Sequence, residues 1–164
     1  MKKEKIVLGM SGGVDSSVAA ILLQKKGFEV YGVFMKNWDD NNAICSAEDD
    51  YADALSVCKQ LKIPLKKIDY TKKYKERVFS QFLDDHKNGL TPNPDVLCNK
   101  EIKFDVFQKH AKEIGAIKIA SGHYAKIISE DGKFFVCKAS DSSKDQSYFL
   151  YQLKSSLLMN IEFP

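Results

Sequence analysis

The sequence predicts an α/β fold: an open parallel sheet flanked by helices, with a C-terminal β-hairpin extension. Three observations point to it. Strand-like apolar runs alternate with helix-spaced apolar repeats over the first 120 residues. A Gly/Ser-rich segment falls where the first run gives way to the first repeat. Beyond it, the pattern changes to two strand-like runs around a turn containing Asp131-Gly132. With 164 residues and 44% hydrophobic content, one sizeable core and a single domain over residues 1–164 are expected.

The elements follow in order. The first strand is expected at Lys5 to Met10, and a helix from Asp15 to Lys26 is ended by Gly27. A second strand, Glu29 to Met35, precedes a polar loop and a helix whose apolar face is Tyr51, Leu55, Cys58 and Leu61. Pro64 separates that helix from a third strand, Leu65 to Asp69. Tyr74, Val78 and Phe82 recur at helical spacing, with Phe79 and Leu83 beside them, and Gly89 should stop that helix. Leu90 to Asp95 is read as non-helical, because each proline pushes its predecessor into an extended conformation. A helix then carries Phe104, Phe107, Ala111 and Ile114 to Gly115, and Ile117 to Ala120 forms a fourth strand. The hairpin pairs Tyr124 to Ser129 with Lys133 to Lys138.

No stretch approaches the ~20 consecutive apolar residues that span a bilayer, and Ile6-Val7-Leu8 is too short for a signal-peptide core, so a cytoplasmic protein is expected. Cys45, Cys58, Cys98 and Cys137 form no CxxC pair and no Cys/His cluster with metal-ligand spacing, so no metal site is expected. Net charge is only +3, but it is unevenly placed. Asp39, Asp40, Glu48, Asp49, Asp50 and Asp53 form an acidic run, and eight bases lie between Lys59 and Arg77. Such runs are mostly solvated faces; the basic one is supporting evidence for a nucleic-acid partner.

The strongest chemical signal is Gly9-Met10-Ser11-Gly12-Gly13-Val14-Asp15-Ser16-Ser17. Adjacent glycines let the backbone approach an anion, serines offer hydroxyl donors, and the start of a helix favours negative charge. This is the composition of a phosphate cradle; the plainer alternative is a connecting turn. It is neither a Walker A loop, lacking the Gly-Lys-Ser/Thr ending, nor a GxGxxG turn.

The loop resembles the SGGxDS segment of the ATP-pyrophosphatases, which split ATP between its α and β phosphates and activate a substrate as its adenylate. Three further segments resemble one branch of that superfamily, the tRNA-specific 2-thiouridylases: Asn93-Pro94-Asp95-Val96-Leu97-Cys98-Asn99-Lys100-Glu101-Ile102-Lys103-Phe104, Ser121-Gly122-His123-Tyr124-Ala125, and Lys144-Asp145-Gln146-Ser147-Tyr148-Phe149-Leu150. They run in the family's order and cover nearly the whole chain.

The resemblance implies a Rossmann-like, adenine nucleotide alpha-hydrolase-like fold and an enzyme that replaces the C2 oxygen of a wobble uridine in tRNA with sulfur. It implies that ATP is held by Gly9, Met10, Ser11, Gly12, Gly13, Val14, Asp15, Ser16 and Gly122, with adenine against the backbone of Met35; a plain core methionine is the alternative for Met35. Phosphate chemistry adds an expected Mg²⁺. Asn93, Pro94 and Asp95 are implied to hold the target base, and Lys144, Asp145 and Gln146 to touch tRNA. The implied partners are tRNA and a sulfur-carrier protein, with no membrane and no DNA.

Two residues in the second segment carry the expected catalysis. Cys98, read as lying at a helix start with Lys100 and Lys103 nearby, should be an accessible, partly ionised thiol. The alternative is a buried small hydrophobe. Asp95 is either a proton-transfer group or the cap of the following turn. Cys58 reads as core, Cys137 as part of the hairpin and Cys45 as part of a polar loop, and none of the three is read as a catalyst. His86 and His110 read as surface or helix-end residues, and His123 as a further contact beside the nucleotide.

The family uses a second, persulfide-bearing cysteine beyond the Lys144-Asp145-Gln146 segment, then a middle domain and a C-terminal β-barrel. The 164 residues contain none of these, so adenylation and sulfur transfer are expected to separate in this chain. Two alternatives remain at this stage: a non-catalytic ATP- and tRNA-binding module, or another adenylating ATP-pyrophosphatase such as a 4-thiouridine or tRNA-lysidine synthetase.

Overall fold

A computed structural model describes residues 3–38 and 47–164. Cys45, Asp39 and Asp40 lie outside the described residues. The main sheet has five strands in the order β3-β2-β1-β4-β7: β1 is Lys5–Gly9, β2 Glu29–Lys36, β3 Leu65–Asp69, β4 Lys118–Ala120 and β7 Ile161–Glu162. All of its pairings are parallel, from Lys5↔Glu29 through Lys36↔Asp69 on one side of β1 to Ala120↔Glu162 on the other.

A strand at the centre of a parallel sheet is covered on both faces and therefore reads as an unbroken apolar run. Ile6, Val7 and Leu8 fit this, with no exposed surface. Alternation divides them: Ile6 and Leu8 join a core with Val30 and Phe34, whereas Val7 joins Val33 on the opposite face. The first core is closed by α1 (Val14–Lys25) through Ala19, Ala20 and Leu23, and by α2 (Ala47–Leu61) through Ala54 and Cys58. Leu55 was expected on the inner face of α2, but Ala54 is the fully buried residue there and Leu55 is only partly buried.

The second face is covered by two helical runs, each containing a wide π turn. In the first, α3 (Thr71–Tyr74) passes through a π turn at Lys75–Phe79 into α4 (Ser80–Lys87). In the second, α5 (Pro94–Cys98) passes through a π turn at Asn99–Lys103 into α6 (Phe104–Glu113). Val78, Ile102, Phe104, Phe107 and Ala111 fill this core. Helix α5 starts at Pro94, inside the segment expected to be non-helical. Proline suits the first helical position, where an amide hydrogen would have no partner anyway, and Asn93 caps the turn by accepting from the amides of Asp95 and Val96 at 3.1 and 3.3 Å.

Two other differences have local causes. His110 is a helix-end residue, in the last turn of α6, but it is 8% exposed and not on the surface, because its ring lies on the inner side of the helix, 2.9 Å from Glu113 and 3.3 Å from Lys66. Strand β7 is two residues long, too short to show a period of its own. Between them, β5 (Ala125–Glu130) and β6 (Lys133–Lys138) form the expected hairpin. Asp131 and Gly132 both take positive φ, 49° and 73°, as a two-residue type I′ turn requires. The last helix, α7, is Ser155–Leu158. No helix among the described residues is long and apolar enough to cross a membrane.

The entry into β4 provides an internal control on this burial, since Ile117 immediately precedes the strand and Ile119 is at its centre. Ile119 has no exposed surface and Ile117 is 72% exposed. Ile119→Ala should cost about 2–5 kcal/mol and Ile117→Ala less than about 0.5 kcal/mol, read from urea midpoints. Equal midpoint shifts would contradict the burial of Ile119 in the core.

Candidate functional site

The Gly9 to Ser17 loop lies at the carboxyl edge of the sheet, between β1 and α1. Its serines brace it from within. The Ser16 hydroxyl donates to the Gly13 carbonyl at 3.0 Å, accepts from the Ser11 amide at 3.2 Å and lies 3.1 Å from the Ser11 hydroxyl. The Ser17 hydroxyl donates to the same carbonyl at 2.9 Å. Gly13 is the N-cap of α1 and has no side chain to cap it, so the first-turn amides remain available to an anion. Gly12 has φ +88° and faces the backbone of Asp50 in α2, which leaves no room for a side chain. Gly13 by contrast has ordinary φ, and an added Cβ would meet only the Ser11 hydroxyl, at 3.5 Å.

Above the loop is a cleft of about 280 Å³. Gly9, Met10, Ser11, Asp15 and Ser16 form its floor, and Val33, Met35 and Asn37 from the end of β2 form one wall. Lys103 and Phe107 form another, and Ser121, Gly122, His123 and Gln146 close it. Nine residues singled out from the sequence thus meet around one space: Gly9, Met10, Ser11, Asp15, Ser16, Met35, Gly122, His123 and Gln146. Met10 is buried in the core, so it faces the cleft mainly through its backbone. Val14 is exposed and lines a neighbouring groove with Phe163 and Pro164. Asn37, Lys103 and Phe107 were not singled out as site residues. Only Lys103 had a sequence signal, its place in the Asn93 to Phe104 segment.

The Lys144 to Gln146 segment is tied to the loop. Lys144 reaches Asp15 at 3.2 Å and lies 4.1 Å from the centre of the Tyr124 ring, while the Tyr124 hydroxyl donates to the other Asp15 oxygen at 3.0 Å. The bond to Asp15 raises the pKa of Lys144. Gln146 and Tyr124 exchange two hydrogen bonds, at 2.8 and 2.9 Å. Asp145 faces away from the cleft and accepts from the amides of Ala139 and Ser147.

Cys98 differs from its sequence reading. It is 5% exposed, and burial pushes its thiol pKa up, opposed by Lys103 and reinforced by Asp95. The cause is position: the helix begins at Pro94, so Cys98 closes the first turn of α5 and its sulfur packs into the core instead of facing the free amides. Its sulfur is 4.0 Å from the carboxamide nitrogen of Asn37, which lines the cleft. Asp95 is exposed in that first turn, and capping belongs to Asn93. Asn93, Pro94 and Asp95 do not line the cleft itself.

His123 is hydrogen-bonded at Nδ1 to the Ser121 hydroxyl (2.7 Å) and stacked on Phe104 at 6.3 Å. Burial, assisted by the Lys103 charge, lowers its pKa from 6.5 to about 4. The cleft therefore contains a neutral imidazole at pH 7. Among the described residues, no three His, Cys, Asp or Glu side chains are placed to hold a metal ion.

A parallel sheet with this cleft at the carboxyl ends of its strands defines a Rossmann-like α/β domain. Residues 4–164 match the family model described as the tRNA methyl transferase HUP domain, and the chain belongs to that family. It is 51% identical over 162 residues to the tRNA-specific 2-thiouridylase MnmA 2 of Geobacillus kaustophilus (strain HTA426). It is 52% identical over 162 residues to the tRNA-specific 2-thiouridylase MnmA of Bacillus subtilis (strain 168). Each match covers 98% of this chain and 44% of the relative, so the chain spans less than half the length of these curated relatives. Among solved structures, the U34-tRNA thiolase NcsA from Methanococcus maripaludis with its 4Fe-4S cluster superposes with a TM-score of 0.52. At 22% identity, over 73% of this chain and 38% of that one, the likeness concerns the fold.

Two outcomes follow from the protonation states. In the native protein at pH 7, iodoacetamide should label Cys137, which is partly exposed, before Cys98 and Cys58, both buried with raised pKa values. Peptide mapping that finds Cys98 labelled first would contradict its burial. For His123, the unfolded chain takes up a proton below pH 6.5 that the folded chain refuses until about pH 4, so this residue's contribution to stability is lost as pH falls across that window. Its imidazole resonances should stay flat from pH 8 to about 5.5; a midpoint near 6.5 would contradict the buried, neutral ring.

Proposed function

We propose that this chain is the ATP-binding, substrate-adenylating part of a tRNA 2-thiouridine synthase. The observation that carries the reading is the convergence of the glycine–serine loop, Met35 and Gly122 on one cleft, in a chain about half identical to tRNA-specific 2-thiouridylases. The first-turn amides of Val14 to Ser16 receive the ATP phosphates, and the Ser11 and Ser16 hydroxyls brace the loop that presents them. Adenine rests against the end of β2 at Met35, and Gly122 admits the nucleotide beside the first turn of α1.

Asp15 is the carboxylate at the loop. One or two carboxylates plus substrate phosphates is the usual holding set for Mg²⁺, so Asp15, through lone pairs not taken by Tyr124 and Lys144, would hold an ion arriving with ATP, which would screen the phosphate charge. Lys103 adds a fixed positive charge to the opposite wall.

In the reaction, the uridine C2 oxygen attacks the α-phosphorus, pyrophosphate leaves, and C2 becomes an adenylated electrophile. The sulfur comes from a carrier-derived persulfide on a second cysteine: the Cys98 thiolate attacks its inner sulfur, the S–S bond breaks to release hydrosulfide and leave a disulfide between the two cysteines, and the hydrosulfide displaces AMP from C2. Asn93, Pro94 and Asp95 hold the target base, and Asp95, with its carboxylate free of capping, takes part in proton transfer. Lys144 and Gln146 position tRNA where it meets the loop, with Asp145 fixing their turn. Cys98 is held in reserve behind Asn37 as a protonated thiol, beside the Lys103 charge that favours its ionisation.

Gly13→Val tests the loop at a position of ordinary φ where the added Cβ meets only the Ser11 hydroxyl. Calorimetry should show at least about tenfold weaker ATP binding at an unchanged denaturation midpoint, and tRNA-dependent pyrophosphate release should fall with it. Unchanged ATP affinity would remove the phosphate cradle from the reading.

A further inference from the structure

Beside the cleft, the 71–87 helical run carries rings that the core does not use. Trp38 meets Phe79 edge-on, with ring centres 5.0 Å apart, and Phe79 lies nearly parallel to Phe82 at 6.1 Å and 14°. Tyr74 joins Trp38 from the inner side at 6.0 Å. Trp38, Phe79 and Phe82 are half-buried, and among the described residues none of the three packs into either core cluster, although Val78 beside them is completely buried. The π turn at Lys75–Phe79 separates these duties, with Val78 turned to the sheet and Phe79 toward Trp38.

The rim of this ladder is basic. The Lys75 ammonium is 5.7 Å from the centre of the Trp38 ring, and Lys72, Lys73 and Arg77 are exposed along the same run. Lys72 meets Glu76 at 3.9 Å with its side chain 88% exposed, so little of its charge is neutralised. The inner end of the ladder adjoins the cleft: Asn37, the residue before Trp38, lines it and lies 4.0 Å from the Cys98 sulfur.

Aromatic faces edged by lysines and continuous with a nucleotide cleft match unpaired nucleobases, whose faces stack on rings while their phosphates meet the cations. A duplex has its base faces already occupied. We propose that Trp38, Phe79 and Phe82 form a stacking platform for the unpaired RNA bases that flank the uridine entering the cleft, with Lys75 against the adjoining phosphate. The platform rests on the tRNA reading above, since it takes neighbouring nucleotides of the same substrate.

Trp38 is the chain's only tryptophan, so its emission reports on the platform alone. The probes are an RNA stem-loop with an unpaired seven-nucleotide loop and a fully paired RNA of the same length, with affinities measured separately by filter binding. The stem-loop should quench Trp38 saturably, at the midpoint of its filter-binding curve, and the paired RNA should not. Phe79→Leu and Phe82→Leu keep apolar volume but remove the ring face; each should weaken stem-loop binding about tenfold, the size of one lost base–aromatic stack, with ATP binding unchanged. Lys75→Gln, on the exposed rim, should lower the slope of log affinity against log salt by about 0.7, one phosphate contact on a single strand.

Stem-loop binding with unquenched Trp38 and unaltered affinity in both leucine variants would overturn the platform and leave the tRNA reading standing. No binding of the stem-loop by either method, in protein that still binds ATP, would overturn the tRNA reading and the platform together. If a leucine variant loses ATP binding it is misfolded, and the parent quench with the Lys75→Gln slope then decides.

Discussion

The site depends on backbone approaching backbone where no side chain fits. At Gly122, a Cβ would lie 2.9–3.0 Å from the Asp15 carbonyl group and the Ser16 amide; at Gly9, it would lie 2.5 Å from the edge of the Phe107 ring. Gly12 is pressed in the same way against the Asp50 backbone of α2. Three glycines therefore bring the loop after β4, the α6 helix and the α2 helix into direct contact with the turn between β1 and α1. The first turn of α1 is held between elements from both faces of the sheet, and the cleft is the space left above it.

This constraint explains why much of the site was legible in the sequence. A glycine–serine turn between an apolar run and a helix is local chemistry, and the cradle proposed for it needs only amides of the same short segment. The β1 run Ile6-Val7-Leu8, the β3 strand and the Asp131-Gly132 turn were legible for the same reason. Asn37, Lys103 and Phe107 were less visible because they reach the cleft from elements distant in sequence. Strand β7 is defined by its partner β4 and not by any pattern in Ile161-Glu162.

Cys98 shows how much rests on a boundary of a few residues. Read as the start of a helix, it would sit among unpaired amides that stabilise a thiolate. Helix α5 begins four residues earlier because Pro94 is well suited to the first position and Asn93 caps it, so the sulfur turns inward and its pKa rises. The same displacement leaves Asp95 exposed near the helix start and separates an accessible carboxylate from a sheltered thiol within one turn.

Both helical runs over the site are interrupted by a five-residue π turn, Lys75–Phe79 in one and Asn99–Lys103 in the other. Each acts as a phase shift: a residue more per turn rotates everything downstream by roughly 100° relative to an unbroken α-helix. Upstream and downstream halves thus keep separate angular origins, which is how Lys103 faces the cleft while Ile102 and Phe104 on either side of it remain in the core. In such a helix length is itself information. Losing one residue in the wide turn would restore regular winding and swing the whole downstream half out of phase, a larger disturbance than replacing almost any single side chain along it.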